Sequence, residues 1–234
     1  MNIIAAKVLP AELPPQHRPG PSPLPMAEPD RDCPLCPRLV DFREECRARH
    51  VDWWNAPVPN FGDPNAWLAI AGLAPGMNGA NRTGRPFTGD HAGHLLYATL
   101  RKFGLAEGDY LERADDSLRL NGAIIINSVK CLPPQNKPTP QEVKTCRPFL
   151  QQGLSSLPNL KLVVALGQIA HQSAVKALGG KLPKYRFAHN AMHRLPSGMI
   201  LIDSYHCSRY NQNTGRLTAE MFEAVFEQAM TLRD

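Results

Sequence analysis

Four short apolar runs divide the chain into regular segments. They are almost continuous in Ile, Val, Leu and Ala, and helix-like stretches separate them. Strands of a parallel sheet show this pattern because helices bury both of their faces. We therefore predict an α/β fold, a three-layer α/β/α arrangement around a central four-stranded parallel sheet. The predicted strands are residues 67–71, 123–127, 161–166 and 199–203.

The segments between these runs carry helix start signals. Thr139-Pro-Gln-Glu142 is a capping box with proline at the first helical position, and it opens a predicted helix that ends near Gln152. A second helix is predicted at residues 91–103. Thr218 is placed to cap a last helix. The apolar residues on one face of this last helix are Phe222, Val225, Phe226 and Ala229.

Prolines crowd the start of the chain. Proline fixes φ and removes a backbone donor, so we expect residues 1–32 to form a proline-rich tail that is disordered or extended. A proline-rich docking segment and a start site assigned upstream of Met26 are the alternatives. Residues 33–234 are expected to form a single domain. The prolines of the tail are Pro10, Pro14, Pro15, Pro19, Pro21, Pro23, Pro25 and Pro29.

A long polar loop, residues 72–90, follows the first predicted strand. It is rich in glycine, which lets a backbone approach a ligand closely, so it is typical of a binding loop. The other predicted strands also end in polar residues. In an open parallel sheet all carboxyl ends lie at one edge, where ligands bind. We therefore expect Phe87, Asp90, Asn127 and His206 to converge on one pocket.

Four of the six cysteines indicate a metal centre. Cys33-Pro-Leu-Cys36 pairs two thiols at a ligand spacing, while Cys131 and Cys146 lie on a loop and on the predicted helix that follows. Four such ligands suit either a structural zinc ion or a [4Fe–4S] cluster. The alternative is that the thiols pack as small apolar groups.

Net charge and hydropathy give limited information about the binding partner and the cellular location. The formal charge of +5 favours a polyanionic partner, but a modest basic excess is common and weak evidence on its own. No apolar run has the length of a membrane span, and the first residues lack the features of a signal peptide. We expect a cytoplasmic protein without a membrane partner.

Four motifs fall in the loops described above. They are Gly72-Leu-Ala-Pro-Gly76, Gly84-Arg-Pro-Phe-Thr-Gly-Asp90, Asn127-Ser-Val-Lys-Cys131, and His206-Cys-Ser-Arg209 with Asn213-Thr-Gly-Arg-Leu-Thr218. Together with the four cysteines, they resemble the uracil-DNA glycosylase superfamily, and most closely its iron–sulfur family 5, also called type B. Family 4 usually has Glu where this chain has Leu73. The fourth motif of the family usually contains His-Pro-Ser, and Cys207 in place of that proline predicts a less rigid loop.

The resemblance implies a uracil-DNA glycosylase-like fold and a [4Fe–4S] cluster on the four cysteines, with structural zinc as the alternative. By similarity, His206 would hydrogen-bond the uracil O2 and stabilise negative charge, and Asp90 would orient water or offset the sugar cation. Asn78 is a second candidate for positioning that water. A helix cap is the alternative role of Asp90. The implied base-binding residues are Phe87, by stacking, Asn127, through its amide, and the backbone amides near Gly72 and Ala74.

The resemblance also makes the segment that follows the fourth strand a DNA-intruding loop. Ser208 would bind a phosphate, while Arg209, Tyr210 and Gln212 would fill the space that the flipped base leaves. A solvated surface charge is the alternative for each predicted cation. The other predicted phosphate contacts are Arg82, Arg85, Lys130 and Lys137.

We expect a monofunctional DNA glycosylase that flips out and excises uracil, as well as other deaminated bases such as hypoxanthine, and so initiates base excision repair. No lysine is placed as a Schiff-base nucleophile, so no lyase activity is expected. The expected partner is double-stranded or single-stranded DNA containing deaminated bases, bound by a monomer. One alternative is a non-catalytic iron–sulfur or zinc protein that binds nucleic acid. The other is a glycosylase relative that covalently traps the abasic site.

Overall fold

A computed structural model describes residues 28–233 as alternating strands and helices. The strands are β1 (Phe61–Gly62), β2 (Leu68–Gly72), β3 (Ala106–Glu107), β4 (Arg119–Leu120), β5 (Ala123–Asn127), β6 (Leu162–Leu166), β7 (Met192–Arg194) and β8 (Ile200–Ser204). The helices are α1 (Pro37–Arg49), α2 (Ala80–Thr83), α3 (His91–Lys102), α4 (Pro140–Ser155), α5 (Gln168–Ala177), α6 (Arg209–Asn213) and α7 (Ala219–Met230). Strands β3 and β4 pair with each other, apart from a six-stranded sheet.

The central sheet has the strand order β1-β5-β2-β6-β8-β7. Its four inner strands are parallel and correspond to the four predicted strands, which confirms an α/β fold with a parallel core. The predicted count of four is too low, because β1 and β7 add antiparallel edges. These edge strands span two and three residues and are partly exposed, so they lack the apolar run that marks a buried strand.

Helices cover both faces of the sheet. On one face, Ile70 and Ile125 pack in a core that includes residues of α3 and α7. On the other face, Ala69 and Ile124 pack in a core that includes residues of α4 and α5. Every residue of the four inner strands except Ile200 is buried, which explains the continuous apolar runs. Within residues 28–233, no helix combines the length and the hydropathy that crossing a bilayer requires.

The predicted helix starts are confirmed by their capping bonds. The Thr139 hydroxyl accepts the Glu142 N–H at 3.2 Å, and the Glu142 carboxylate accepts the Thr139 N–H at 2.7 Å, which completes the capping box of α4. Thr218 caps α7 by accepting the Met221 N–H at 3.2 Å. Such caps satisfy backbone donors that have no partner inside the helix.

The folded domain begins earlier than the sequence suggested. Residues 1–27, which hold most of the predicted proline-rich tail, lie outside the described residues. Residues 28–32 were assigned to that tail, but they contact the domain. The Glu28 carboxylate accepts the Asn60 N–H at 2.7 Å and pairs with the Lys130 ammonium at 3.0 Å, and Asp32 pairs with Arg47 at 2.7 Å. Residues 28–32 therefore belong with the domain, ahead of the predicted boundary at residue 33.

A buried polar network joins β8 to its neighbours. The fully buried Asp203 carboxylate accepts hydrogen bonds from His171 Nδ1 of α5 at 2.7 Å and from His193 Nε2 of β7 at 3.0 Å. The other ring nitrogen of His171 lies 3.1 Å from the Tyr185 carbonyl oxygen. Both ring nitrogens of His171 are thus engaged, which ties α5 to β8 and to the Tyr185 segment.

Candidate active site

A cleft of about 710 Å³ opens at the carboxyl edge of the inner strands. Four side chains that the sequence placed together line it: Phe87, Asp90, Asn127 and His206. Asn127 ends β5 and His206 follows β8, while the other two side chains belong to the long loop after β2. All four therefore lie at the edge where the parallel strands end. The other predicted site residues that line the cleft are Ala74, Asn78, Ser208 and Arg209.

Gly72 contributes to the cleft by having no side chain. It ends β2 and pairs in register with Asn127 of β5. A Cβ atom at this position would overlap the Asn127 Oδ1 atom and would lie 3.1 Å from the Phe87 ring. Glycine therefore lets these two side chains approach β2 closely.

Asn127 presents an unused acceptor. The residue is only 3% exposed, and its Oδ1 atom is buried without a hydrogen-bond partner in the described part of the chain. A buried polar atom left without a partner costs about 1–3 kcal/mol. The position is therefore suited to a ligand that brings a hydrogen-bond donor.

Phe87 is held in a strained backbone conformation. Its φ of 52° lies in the left-handed region, which a bulky residue seldom adopts. The Tyr110 hydroxyl donates to the Phe87 carbonyl at 3.1 Å and holds the turn in place. The Phe87 ring stacks on His206, with ring centroids 5.9 Å apart. The residue thus presents a flat apolar surface in the cleft. No motif in the sequence pointed to the supporting Tyr110.

Asp90 takes part in two arrangements at once. One carboxylate oxygen caps α3 by accepting the Gly93 N–H at 3.2 Å. The other oxygen faces the loop glycines, since a Cβ on Gly76 would lie 3.5 Å from it and one on Gly79 would overlap it. Burial raises the pKa of Asp90, and the backbone donors of α3 oppose that shift. The helix cap therefore leaves one oxygen directed toward the cleft loop.

His206 is a neutral base in this setting. Burial lowers the pKa of its imidazole to about 4, so the ring carries no charge at neutral pH. A neutral imidazole still has one N–H to donate. His206 can therefore act as a hydrogen-bond donor in the cleft without being a cation.

Two side-chain amides brace the loop around His206. Asn211 Nδ2 donates to the His206 carbonyl at 2.8 Å, and Gln212 Nε2 donates to the Cys207 carbonyl at 2.7 Å. Cys207 is fully buried in the core. Cys207 stands where the family usually has proline, and these two bonds and the buried thiol connect the loop to its surroundings at this point. The role of Asn211 could not be seen in the sequence.

The short helix α6 presents the remaining residues of the predicted DNA-intruding loop. Ser208 caps α6 through a 3.4 Å bond from the Asn211 N–H, and Arg209 is exposed at the cleft. Tyr210 is 71% exposed, whereas Gln212 is engaged in bracing the loop. Of the four residues that were predicted to contact DNA from this loop, Arg209 and Tyr210 are thus the exposed ones.

Two of the predicted phosphate contacts are corrected. Arg85 is 4% exposed, and its guanidinium makes two hydrogen bonds to the buried Asp116 carboxylate, at 2.6 and 2.8 Å. Burial alone would raise the pKa of Asp116, but Arg85 and backbone donors lower it to about 2. Lys130 is 1% exposed and pairs with Glu28. Both cations are structural, since neither is accessible to a phosphate.

The other two predicted cations are at the surface. Arg82 is exposed, and its Nε donates to the Asn78 carbonyl at 2.9 Å, which places it at the rim of the cleft loop. Lys137 is exposed after the turn that carries Asn136, a residue of the cleft wall. The rim also holds a pair that the sequence did not suggest, His94 and Glu112, 3.1 Å apart.

The four predicted metal ligands line a second cavity, beside the cleft. Cys33 and Cys36 precede α1, Cys131 follows β5, and Cys146 lies in α4. Burial raises the pKa of Cys131 to about 12 and that of Cys146 to about 11, and neighbouring thiols add to both shifts. The Lys130 N–H donates to Cys146 Sγ at 3.3 Å. Four thiols around one cavity fit a metal centre, whose positive charge would stabilise the thiolates.

Comparison with known proteins agrees with this geometry. The family model described as the uracil DNA glycosylase superfamily matches residues 59–229. The type-5 uracil-DNA glycosylase of Thermus thermophilus is 45% identical over 86% of this chain and 93% of its own length. Those of Mycobacterium bovis and Pyrobaculum aerophilum are 42% and 38% identical, over 86% and 85% of this chain and 78% and 88% of theirs. The chain belongs to the uracil DNA glycosylase superfamily.

Proposed function

We propose that this protein excises uracil from DNA by hydrolysing the N-glycosidic bond, as the first step of base excision repair. The observation that carries the proposal is the convergence of Phe87, Asp90, Asn127 and His206 on one cleft. An acceptor, an aromatic face, a neutral donor and a carboxylate are the groups that base recognition and glycosidic cleavage require. The type-5 relatives carry the same activity in their names.

Base recognition would rest on Asn127 and Phe87. The unpaired Oδ1 of Asn127 can accept the N3–H of uracil, and the base can stack on the Phe87 ring. Cytosine has no hydrogen on N3, so it would place an acceptor against Oδ1 in this amide orientation. Hypoxanthine has an N1–H beside a carbonyl, the same pair of groups as uracil. We therefore extend the proposal to hypoxanthine as a second substrate.

The chemical step would use His206 and Asp90. As the bond breaks, negative charge builds on the leaving base and positive charge on the sugar. A neutral His206 can donate its one N–H to the uracil O2, and its low-dielectric surroundings strengthen that bond as negative charge develops. The free oxygen of Asp90 can orient water toward the sugar carbon and offset its charge. Water adds to the sugar, and the base leaves with a proton.

The DNA would be held at the cleft rim. Exposed Tyr210 and Arg209 on α6 are placed to enter the duplex, while Ser208, Arg82 and Lys137 can contact phosphates. No lysine lines the cleft in the described part of the chain, in accord with a monofunctional enzyme that has no lyase activity. We expect a monomer that acts on double-stranded DNA and also on single-stranded DNA.

The decisive experiment is incubation with a labelled duplex that contains one uracil, followed by alkali. Cleavage at the uracil only after alkali would support a monofunctional glycosylase, and cleavage without alkali would contradict it. DNA binding without any cleavage would favour the non-catalytic alternative. A covalent protein–DNA product would favour the relative that traps the abasic site. A duplex with hypoxanthine tests the second substrate separately.

For the second cavity we propose a [4Fe–4S] cluster, held by Cys33, Cys36, Cys131 and Cys146. Such a cluster would tie α1, the loop after β5 and α4 together, next to the wall of the cleft that contains Ala74. We expect purified protein to be brown, with visible absorption that bleaches on reduction and about four irons per chain. A colourless protein with one zinc per chain would instead establish the structural zinc site.

A further inference from the structure

A groove between α4 and α5 lies next to the cleft and has no role so far. It has a volume of about 140 Å³ and opens at Pro138. Pro138 is two residues from Asn136, which lines the cleft, so the two sites adjoin through one short turn. Both helices begin at the carboxyl edge of the sheet, and the groove runs down from that edge.

Polar donors line this groove at helical spacing. Arg147 lies one turn after Val143 on α4, and Ser173 and Lys176 follow one another on the facing side of α5. Gln172 adds an amide, and no carboxylate lines the groove in the described part of the chain. The groove therefore concentrates positive charge and hydrogen-bond donors.

Two of these groups are buried without partners. The Nε atom of Arg147 is buried and makes no hydrogen bond within residues 28–233. Ser173 is 1% exposed, and its hydroxyl also has no partner among the described residues. Native structures satisfy nearly all buried polar groups, so such a pair indicates a missing ligand.

We propose that this groove binds a phosphate of the DNA strand as it leaves the cleft. A guanidinium, a hydroxyl, an amide and an ammonium are all donors to a tetrahedral oxyanion, and Arg147 can engage two of its oxygens. Free inorganic phosphate has the same chemistry and is the other source of such a ligand. The choice of DNA rests on the proposed function and on the short turn that joins groove and cleft.

The test compares how salt weakens DNA binding by the parent protein, Arg147→Ala and Lys176→Ala. The probe is a duplex with a uracil analogue that resists cleavage. Each lost phosphate contact lowers the slope of log K against log salt by about 0.9. We expect that loss for Arg147→Ala and a smaller one for Lys176→Ala. Lys181→Ala, an exposed lysine beyond the end of α5, is the matched control and should keep the parent slope.

Folding and the neighbouring Cys146 are checked in the same samples. Arg147→Ala should keep the parent's metal content and its single-turnover rate at saturating uracil DNA, because the groove does not contact the reacting base. An unchanged slope in Arg147→Ala would overturn the proposal. Stabilisation by inorganic phosphate that needs Arg147, with an unchanged DNA slope, would also overturn it and assign the groove to free phosphate. Since binding is measured without cleavage, failure of uracil excision is a separate result.

Discussion

At the scale of single residues, the position of the base-binding side chains is set by their close contact with Gly72. The Asn127 amide and the Phe87 ring both press against the backbone of Gly72. Their positions are thus fixed by the sheet register and by the missing Cβ, because β2 and β5 pair residue for residue up to this point.

Gly72→Ala should therefore impair catalysis more than stability. The added methyl would push away Asn127 and Phe87, so we expect the rate of uracil excision to fall by about 100-fold or more, since misplacement of about 1 Å has that cost. Single-turnover kinetics on uracil duplex DNA, with circular dichroism as the check on folding, would measure this. A folded Gly72→Ala protein with the parent rate would show that Asn127 and Phe87 are not held by this contact.

Two substitutions can separate the helix-capping role of Asp90 from its proposed catalytic role. Asn keeps an oxygen that caps α3, whereas Ala loses the cap and about 1 kcal/mol of stability. We expect Asp90→Asn to unfold like the parent but to lose most of its activity, and Asp90→Ala to lose both. Urea unfolding and single-turnover rates give the two readouts. An Asp90→Asn protein with the parent's rate would leave Asp90 as a helix cap only.

The pH dependence of the rate distinguishes Asp90 from His206. Burial raises the pKa of Asp90, so its carboxylate takes up a proton at a higher pH than an ordinary aspartate. His206 has a pKa of about 4, so its ring is neutral at neutral pH. We expect the rate to fall as the pH drops through the Asp90 pKa, and Asp90→Asn to lack that fall. The same acid limb in both proteins would assign it to another group.

The residues that the motifs identified do meet in the structure, but the sequence could not separate surface cations from buried ones. Arg85 lies inside the most specific motif, yet its partner, Asp116, is 31 positions away. Lys130 likewise pairs with Glu28, far upstream. Motif chemistry predicts what a side chain can do, whereas burial depends on long-range partners that no local pattern reveals.

At the scale of the elements, the continuous apolar runs predicted the inner strands because both faces of each strand are covered. The edge strands and α6 were missed for the opposite reason. They are two to five residues long and have no continuous apolar face. Pairing with a neighbouring strand holds each edge strand, and Ser208, the residue before α6, caps that helix. Strand β7 is attached through His193 to the buried Asp203.

Asp203→Asn tests how strongly that attachment holds the fold. The change replaces the buried carboxylate that both histidines contact by an amide. A buried polar group left without its partner costs about 1–3 kcal/mol. Urea unfolding should show this loss in the free energy of unfolding. Lys102→Ala, which breaks an exposed pair with Glu223, is the control and should change little. A small effect of Asp203→Asn would mean that the carboxylate is not needed to hold β7 and α5 against β8.

At the scale of the whole molecule, residues 28–32 pack beside the cavity that the four cysteines share. Glu28 neutralises Lys130, which directly precedes Cys131, and Pro29 lines the cavity that the four cysteines share. Residues 28–32 are therefore part of the framework around the cysteines and not a separate tail.

Two truncations should differ accordingly. A protein that begins at residue 28 keeps Glu28 and serves as the reference for stability and for the rate of uracil excision. Removal of residues 1–32 leaves the Lys130 ammonium buried without its carboxylate, and we expect a loss of about 2 kcal/mol, or roughly 4–8 °C in Tm. Glu28→Gln is the matched point variant. Equal melting temperatures for both truncations would contradict the role of Glu28.

The unpaired acceptor of Asn127 also limits how strongly the pocket can discriminate uracil from cytosine. An unmatched buried acceptor is worth about 1–3 kcal/mol, which is a discrimination of roughly 5- to 150-fold against cytosine. Intact cytosines outnumber deaminated ones by many orders of magnitude. With this factor alone, most of the bases that the enzyme bound would still be cytosines. The remaining fidelity must arise before the base enters the pocket. A mispaired uracil leaves the helix at lower cost than a paired cytosine, so accuracy depends partly on the instability of the damaged DNA itself.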